Sequence, residues 1–365
     1  MKRFFLFCVL AVFATSCRSA GIAAPTITPL PFPFETPASP AQVAGRIDSF
    51  AVRRDGSVIA LATTRGIALY DLQSFELLRV LDEDSYAFSI DWSPDDAKLA
   101  AGMGSGENAD FEGLASLRVW DTTTWQVIFD QPILEHERIL DVAWSPDNRL
   151  LAMSTDVSGV MVWDTATAQR VSQQTGFAAS VQSISWSPDG TRLLASSDLA
   201  YGIRRWRVSD DETVRLFDQR AGASNNVAWS PDGEWIASTH SYGDICLWQA
   251  STNRCKRFIP AHVTAAFSLA WSPKSDRFAS GGGAIRIWDA RTGGQLLAFA
   301  EDSRYRITYL EWPAAEGPLV SLQVAVETPE TLVRFWDPAN GALLAEIRNA
   351  SEAAFLLQLA HVPAP

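Results

Sequence analysis

The strongest constraint on the fold is a short motif, Trp-Ser-Pro-Asp, that recurs along the chain. Copies or close variants of it begin at Trp92, Trp144, Trp186, Trp229, Trp271 and Trp312. Successive copies are separated by 52, 42, 43, 42 and 41 residues. Spacing in this range indicates repeated supersecondary units that stack on one another, because one such unit cannot bury its apolar surface alone.

A second series ends short β-branched runs, most often with the dipeptide Trp-Asp. Its members are Tyr70-Asp71, Trp120-Asp121, Trp163-Asp164, Trp206-Arg207, Trp248-Gln249, Trp288-Asp289 and Trp336-Asp337. In the third unit, residues 139–144 form an extended apolar run, and Ser145-Pro146-Asp147-Asn148 predicts a type I turn. Strands expected at 150–153, 160–163 and 170–172 complete a four-stranded antiparallel meander. The sequence therefore predicts seven such units.

The two interleaved series resemble the WD-repeat family over about residues 46 to 348. The resemblance implies an all-β fold, a seven-bladed β-propeller of four-stranded antiparallel blades that serves as a non-catalytic binding platform. A related six-bladed family shares the turn but lacks the Trp-Asp ending. The opening Gly-His pair of the family is absent, and blades four and five end in Trp-Arg and Trp-Gln. We therefore expect the family's buried His-Asp hydrogen-bond network to be incomplete.

The N-terminal residues are typical of an export signal. Lys2 and Arg3 precede an apolar run over residues 4–14, which is too short for a transmembrane helix, and small residues lead to Cys17. The pattern resembles the lipobox of bacterial lipoproteins, although Ala14 replaces the usual Leu. We expect residues 1–16 to be removed, Cys17 to carry a lipid, and the protein to lie in the cell envelope or at the cell surface. The alternative is ordinary signal cleavage and secretion.

Both ends of the predicted propeller carry further segments. Residues 17–45 contain six prolines, which lack a backbone donor and fix φ, so we expect an extended tether without a core; a ligand for a Pro-reading domain is the alternative. Residues 343–348 are expected to give blade seven its own outer strand, so closure by an N-terminal strand is not needed. Residues 349–365 form an apolar tail, which is expected to pack as an extra strand or latch.

Charge and cysteine content limit the partners. The formal net charge of −12 argues against nucleic-acid binding, which requires a basic surface. Beyond Cys8 and Cys17, only Cys246 and Cys255 remain. The repeat places Cys255 opposite Trp248 and leaves Cys246 diagonal to it, so both the disulfide and the free thiols stay open.

No catalytic or metal-binding motif stands out, and no cofactor is implied. The four histidines lack metal-ligand spacing, and His136 and His262 fall at a structural position of the repeat. Twelve of the fourteen tryptophans occupy the two repeat positions. The remaining two, Trp125 and Trp235, belong to different blades, so we expect packing roles for them and not a shared aromatic cage.

Loop lengths indicate one functional face. From the first repeat Trp to the Trp-Asp ending, blades three to six need 19, 20, 19 and 17 residues, whereas blades two and seven need 28 and 24. The additional residues are expected between the second and third strands, at about 102–116 and 325–331. These loops share a face with the connections between blades, and that face is rich in carboxylates: Asp82, Glu83, Asp84, Glu107, Asp110, Glu112, Glu301, Asp302, Glu327 and Glu330. A solvated acidic rim is the alternative to a binding site.

The sequence therefore predicts a surface-tethered scaffold that binds a protein or peptide partner, with a basic partner or a cation screening the acidic face. The expected partner-binding residues are Asp84, Tyr86, Glu107, Asp110, Phe111, Glu112, Arg304, Tyr305, Glu327 and Glu330. The rival hypothesis is a catalytic or calcium-binding propeller that uses Glu107, Asp110 and Glu112 as oxygen ligands. A purely structural envelope component is a third possibility.

Overall fold

The first strands of consecutive blades contact one another around a closed ring, and the strand of the last blade also meets that of the first. The structure, a computed structural model, describes residues 41–105, 115–133, 137–177, 179–197, 202–216, 218, 222–315 and 317–350. Within these residues the chain forms 29 strands and no helix. The strands make seven antiparallel blades, so the predicted seven-bladed β-propeller is confirmed.

Each of the first four blades is a sheet whose strands pair in chain order. After β1 (Ala41–Ala44), blade one contains β2 (Ile47–Val52), β3 (Val58–Thr63), β4 (Gly66–Asp71) and β5 (Leu77–Leu81). Blade two contains β6 (Ser85–Trp92), β7 (Lys98–Ser105), β8 (Ser116–Asp121) and β9 (Val127–Pro132). Blade three contains β10 (Ile139–Trp144), β11 (Leu150–Thr155), β12 (Val160–Asp164) and β13 (Gln169–Gln174). Blade four contains β14 (Val181–Trp186), β15 (Arg192–Ser197), β16 (Ile203–Arg207) and β17 (Thr213–Leu216).

The last three blades follow the same order. Blade five contains β18 (Ser224–Trp229), β19 (Trp235–His240), β20 (Asp244–Gln249) and β21 (Arg254–Pro260). Blade six contains β22 (Ser268–Trp271), β23 (Arg277–Gly281), β24 (Ile285–Asp289) and β25 (Gln295–Phe299). Blade seven contains β26 (Tyr305–Glu311), β27 (Leu319–Ala325), β28 (Thr331–Trp336) and β29 (Leu343–Ala350).

The repeated sequence motifs form the turns. In blade three the Ser145 hydroxyl donates to Asp147 at 2.5 Å and accepts the Leu150 N–H at 2.8 Å, which fixes the predicted reversal. Asn148 takes a φ of 61° at the end of this turn. The Asp of the Trp-Asp ending caps the next turn, where Asp121 Oδ1 accepts the Thr124 N–H at 2.8 Å. Both motifs therefore satisfy backbone groups that a tight turn would leave unpaired.

The buried hydrogen bonds of the tryptophans differ between blades. In blades five, six and seven the indole N–H groups of Trp248, Trp288 and Trp336 donate to Ser238, Ser280 and Ser321. The strand register places Leu61, Ala101, Met153 and Ala195 at the equivalent positions of blades one to four. Within the described residues the indole nitrogens of Trp163 and Trp206 have no hydrogen-bond partner. The apolar residues at these positions thus remove the serine acceptor of this hydrogen bond from blades one to four, and the expected gaps in the His-Asp network stay a prediction.

Ring closure differs in one respect from the sequence-based expectation. Blade seven does own its outer strand, β29, but the N-terminal strand β1 adds to it as a fifth, parallel strand, with Ala41 opposite Ile347. Residues 41–44 thus pair with the propeller, although we expected them to belong to the tether. The chain passes from β1 through Gly45 and Arg46 directly into blade one, and the Ile47 N–H donates to Thr331 of blade seven at 3.0 Å.

The predicted register in blade five is confirmed, since Cys255 pairs with Trp248. A disulfide nevertheless joins Cys246 and Cys255, whose Cα atoms lie 5.8 Å apart. This bond fastens the outer strand of blade five to its neighbour. The expected signal peptide, the lipid site at Cys17, residues 17–40 of the tether and residues 351–365 of the tail lie outside the described residues.

Candidate functional site

The two faces of the ring follow from the meander. Loops between the second and third strands of each blade share one side with the connections from blade to blade, and we call this the upper face. The lower face carries the Ser-Pro-Asp turns and the turns after the Trp-Asp endings. The upper loop of blade seven spans residues 326–330, close to its predicted position, and that of blade two begins after Ser105 and ends before Ser116.

The structure places the predicted partner-binding residues in two groups on the upper face. Tyr305, Glu327 and Glu330 lie on blade seven and Arg304 directly precedes its first strand, whereas Asp84 lies between blades one and two. The prediction that Tyr86 contacts a partner is wrong. Its side chain is only 7% exposed, and its hydroxyl donates to Asp48 at 2.6 Å, so it is not free to contact a partner. The expected site residues Glu107, Asp110, Phe111 and Glu112 lie outside the described residues, and calcium binding there stays a prediction.

Several carboxylates of the upper face are paired within the protein. Asp302 lies 2.7 Å from Arg304, and the hydrogen bonds from this arginine lower the pKa of Asp302 to about 2. Asp82 pairs with Arg118, and the Tyr305 hydroxyl donates to Glu330 at 2.6 Å. The predicted acidic surface is therefore partly neutralised, by Arg304 from the same loop and by Arg118 from the neighbouring blade.

A pocket of about 580 Å³ opens on the upper face between blades six and seven. The connection from blade five, the upper loop of blade six, the connection to blade seven and the start of β26 form its wall. The lining residues are His262, Val263, Thr264, Ala265, Phe267, Gly283, Ala284, Arg286, Glu301, Ser303, Tyr305, Arg306 and Val326. Tyr305 and Glu301 were named from the sequence on the functional face, and Val326 falls within the loop 325–331 that was predicted there.

The pocket lies beside the upper loop of blade six, which consists only of residues 282–284. The upper loop of blade five, residues 241–243, has the same length, and the interval of 17 residues in blade six is the shortest among blades two to seven. The longer loop of blade seven stands beside it, so the short loop leaves a depression. A Cβ atom on Gly283 would meet nothing closer than 4.0 Å, which shows that the space above this glycine is open. The short interval was visible in the sequence, but we had followed the long ones.

Two arginines give this pocket its electrostatic character. The Arg286 Nη1 donates to Gln295 at 2.6 Å, whereas its buried Nε has no hydrogen-bond partner within the described residues. Arg306 is exposed, and its guanidinium lies 5.9 Å from the ring centroid of Phe267. In the described part of the chain, neither arginine has a carboxylate within ion-pair distance. Glu301 is the only acidic residue of the lining.

His262 forms part of the same wall but holds a structural position. Its Nε2 lies 2.8 Å from the Ser280 hydroxyl, which also accepts the Trp288 indole N–H at 2.9 Å. Burial, followed by the nearby charge of Arg286, lowers the pKa of His262 to about 4. The imidazole is therefore neutral near pH 7 and adds no charge to the pocket. His136, the other predicted structural histidine, lies outside the described residues.

The two tryptophans outside the repeat positions are separate. Trp125 packs edge-on against Trp92 at 6.3 Å, and Trp235 lies 5.7 Å from the guanidinium of Arg257 in blade five. Neither lines the pocket. The expectation that they pack in different blades is therefore confirmed.

A group that the sequence analysis missed lies at the centre of the ring. Asp91, Asp141 and Glu311 project from the first strands of their blades and are half-buried. Burial raises their pKa values to about 7, 7 and 8, and the charge of Asp91 adds to the shifts of the other two. We call these three residues the central carboxylates.

The central carboxylates join neighbouring blades. Asp91 accepts the backbone N–H of Trp144 at 2.8 Å, and Asp141 accepts that of Ile184 at 2.9 Å. Glu311 of the last blade accepts the Val52 N–H of the first blade at 3.1 Å. These contacts satisfy inner-strand donors that would otherwise face the ring axis. The arrangement supports a structural role for these groups.

Neither a metal-binding group nor a membrane-spanning helix is found within the described residues. No group of three or more His, Cys, Asp or Glu side chains there has the geometry to hold a metal ion. The same residues contain no helix of the length and apolarity that crossing a bilayer requires.

Comparison with known proteins agrees with the repeat pattern. The WD40 family model, described as WD domain, G-beta repeat, matches residues 169–218, 221–249 and 253–289. Among solved structures, the computationally designed Ika8 protein superposes with a TM-score of 0.65 at 19% identity, covering 84% of this chain and 88% of that chain. At this identity the similarity concerns the fold alone. The repeat matches and the seven-bladed ring together support a WD-repeat β-propeller.

Proposed function

We propose that this WD-repeat propeller is a non-catalytic scaffold that binds a protein or peptide partner through the pocket between blades six and seven. The observation that carries the proposal is the pocket itself, a depression of about 580 Å³ walled by loops from three blades. This volume falls in the range of sites that take small ligands or a few side chains. WD40 repeats generally serve protein interaction, which favours a macromolecular partner over a metabolite.

The pocket rim has the exposed apolar surface that an interface needs. The aliphatic side chains Val263 and Val326 are 98% and 50% exposed. They lie on opposite sides of the depression. Removing such surface from water stabilises a complex by about 25 cal/mol per Å² before the costs of association. The rigid blades beneath hold these loops in place, so little ordering is required on binding.

A photo-crosslinking residue at Val263 tests the proposed face. We expect p-benzoylphenylalanine at this position to capture a partner in cells, because the side chain projects from the pocket rim. The matched control places the same residue at Arg291, which is exposed on the lower face of blade six. Equal capture at both positions, or capture only at Arg291, would show that the upper face is not the binding surface.

We also propose that the scaffold is exported and held at the cell envelope through lipid on Cys17. The support is the N-terminal pattern of basic residues, a short apolar run and small residues before the cysteine. More than one acyl chain would retain the protein firmly, since a single chain gives only marginal membrane binding.

Fatty-acid labelling checks the anchor. We expect labelled palmitate to enter the wild-type protein and not the Cys17→Ala variant, which should appear in the soluble fraction. The Cys8→Ala variant is the control, because that cysteine precedes the expected cleavage point. A wild-type protein without label would contradict the lipid anchor and leave secretion as the explanation for the signal.

A further inference from the structure

We propose that the pocket between blades six and seven binds an acidic peptide segment, in which a carboxylate side chain is followed by an apolar one. This inference rests on the proposed function and names the class of partner. The acidic loops led us to expect a basic partner. The pocket favours an acidic partner instead, because it is lined by arginines.

The pocket carries positive charge that is not neutralised within the described part of the protein. Elsewhere on the upper face, Arg118 and Arg304 lie against the carboxylates of Asp82 and Asp302. Arg286 and Arg306 line the pocket and have no such partner among the described residues. Two guanidinium groups on one depression therefore favour an anion, and the formal net charge of −12 for the whole chain makes this local excess distinctive.

Arg286 has hydrogen-bonding capacity that its described neighbours do not use fully. Its Nη1 is held by Gln295 at 2.6 Å, so the side chain is fixed in place. Its Nε is buried and lacks a partner in the described part of the chain, and an unsatisfied buried donor has a free-energy cost. A carboxylate can accept from such a guanidinium through charge-assisted hydrogen bonds, which are stronger than neutral ones.

The remainder of the pocket lining is largely apolar. Val263 and Val326 expose aliphatic surface on the rim, and Ala265 and Phe267 extend this apolar wall inward. A free inorganic anion would leave that surface in water. A peptide that places an aliphatic side chain beside its carboxylate would cover the apolar wall and pair the arginines at the same time.

The test uses fluorescein-labelled synthetic nonapeptides in which leucine alternates with glutamate, with glutamine or with lysine. Fluorescence anisotropy measures their binding to the full chain. We expect the glutamate peptide to bind at least tenfold more tightly than the other two, and we expect added salt to weaken it. Equal binding of the glutamine peptide, or tighter binding of the lysine peptide, would overturn the proposal.

Substitutions locate the binding. Arg286→Gln and Arg306→Gln are each expected to weaken the glutamate peptide about tenfold, which is a typical effect of losing one charged hydrogen bond. Arg291→Gln, on the lower face of the same blade, should leave binding unchanged. Gly283→Leu should abolish binding because its side chain would enter the open space, and Gly294→Leu on the lower face is its control. Unchanged affinity in the two pocket arginine variants would refute the assignment.

Two further outcomes identify other occupants. Complete competition by inorganic phosphate at equal concentration would show that the pocket takes a simple anion, and the peptide proposal would fail. Crosslinking from position 263 to residues 351–365 of the same chain would assign the pocket to that segment, with the same consequence. If Val263 captures a separate protein that the glutamate peptide does not displace, the scaffold function stands and only the acidic partner class is wrong.

Discussion

Replacing Phe335 by alanine is expected to lower the free energy of unfolding by about 3 to 5 kcal/mol, the usual cost of removing a fully buried phenylalanine. The side chain is 0% exposed and lies between blades seven and one, in a cluster that includes Phe50 and Tyr70. Its ring also meets Phe75 edge-on at 5.8 Å. Denaturant titration monitored by tryptophan fluorescence measures the loss.

The location of Phe335 adds an effect on ring closure. Other neighbouring blades are connected directly from the fourth strand to the next first strand. No such connection joins blade seven to blade one; they are held together by the pairing of β1 with β29 and by noncovalent contacts such as the cluster around Phe335. Opening the ring here requires no covalent bond to break. The Phe335→Ala variant should therefore be cleaved by protease near blades one and seven under native conditions.

Phe278→Ala provides the matched control. This phenylalanine is also 0% exposed, but it packs between blades five and six, which are joined by the chain at residues 261–267. We expect a similar loss of stability with much less native-state cleavage. If both variants are cleaved at the same rate, the interface between blades seven and one is no weaker than the others.

The second large effect is a loss of stability with rising pH, caused by the central carboxylates. Their pKa values in the folded protein, about 7 for Asp91 and Asp141 and about 8 for Glu311, lie above those of exposed carboxyls. Between the unfolded and folded pKa values the folded state holds more protons than the unfolded state, so stability falls as pH rises. The stability that these carboxyl groups contribute is fully present below about pH 4 and is lost as the pH rises through 7 to 8.

Buried histidines affect stability in the opposite direction. The pKa values of His240 and His262 are lowered by burial, so their protonation destabilises the fold as the pH falls below 6.5. Between pH 6.5 and about pH 9 the histidines complete the last half of their unfolded-state titration, which is a small effect of opposite sign, so the carboxylates dominate the change in this window. We expect a loss of about 3 kcal/mol over this window, because each carboxyl loses about 1.4 kcal/mol per pH unit between pH 6.5 and its folded pKa.

Neutral isosteres test the cause. The Asp91→Asn, Asp141→Asn, Glu311→Gln triple variant keeps an oxygen that can accept each backbone N–H but cannot ionise. Its melting temperature should change little across the window, whereas that of the wild-type protein should fall. A wild-type melting temperature that stays level or rises would contradict the pKa shifts, and equal slopes in both proteins would place the titrating groups elsewhere.

The repeated motifs made much of the fold predictable. The spacing of the two tryptophan series gave the number of blades, and the Ser-Pro-Asp sequences gave the turns after the first strands. The opposition of Cys255 and Trp248 followed from the repeat as well. These features depend on residues close together in sequence, for which turn chemistry and strand alternation are sufficient guides.

The candidate site was only partly predictable. The upper face and Tyr305 followed from the meander and from loop length, but the pocket lies beside the short upper loop of blade six and not within the longest loop. Tyr86 was expected at the surface and is buried, because Asp48 from the preceding blade binds its hydroxyl. The position of a residue within its repeat does not show which side chain of the neighbouring blade will cover it.

The sequence by itself determined the seven blades, their strands and turns, and the face that carries the long loops. Only the tertiary structure decided the parallel pairing of β1 with β29, the pairing of Asp82 with Arg118, and the free charge of Arg286 and Arg306. The physical reason is that periodicity specifies local hydrogen bonds within a blade. Charge pairing, burial and closure depend instead on contacts between blades that are distant in sequence and become neighbours only when the ring forms.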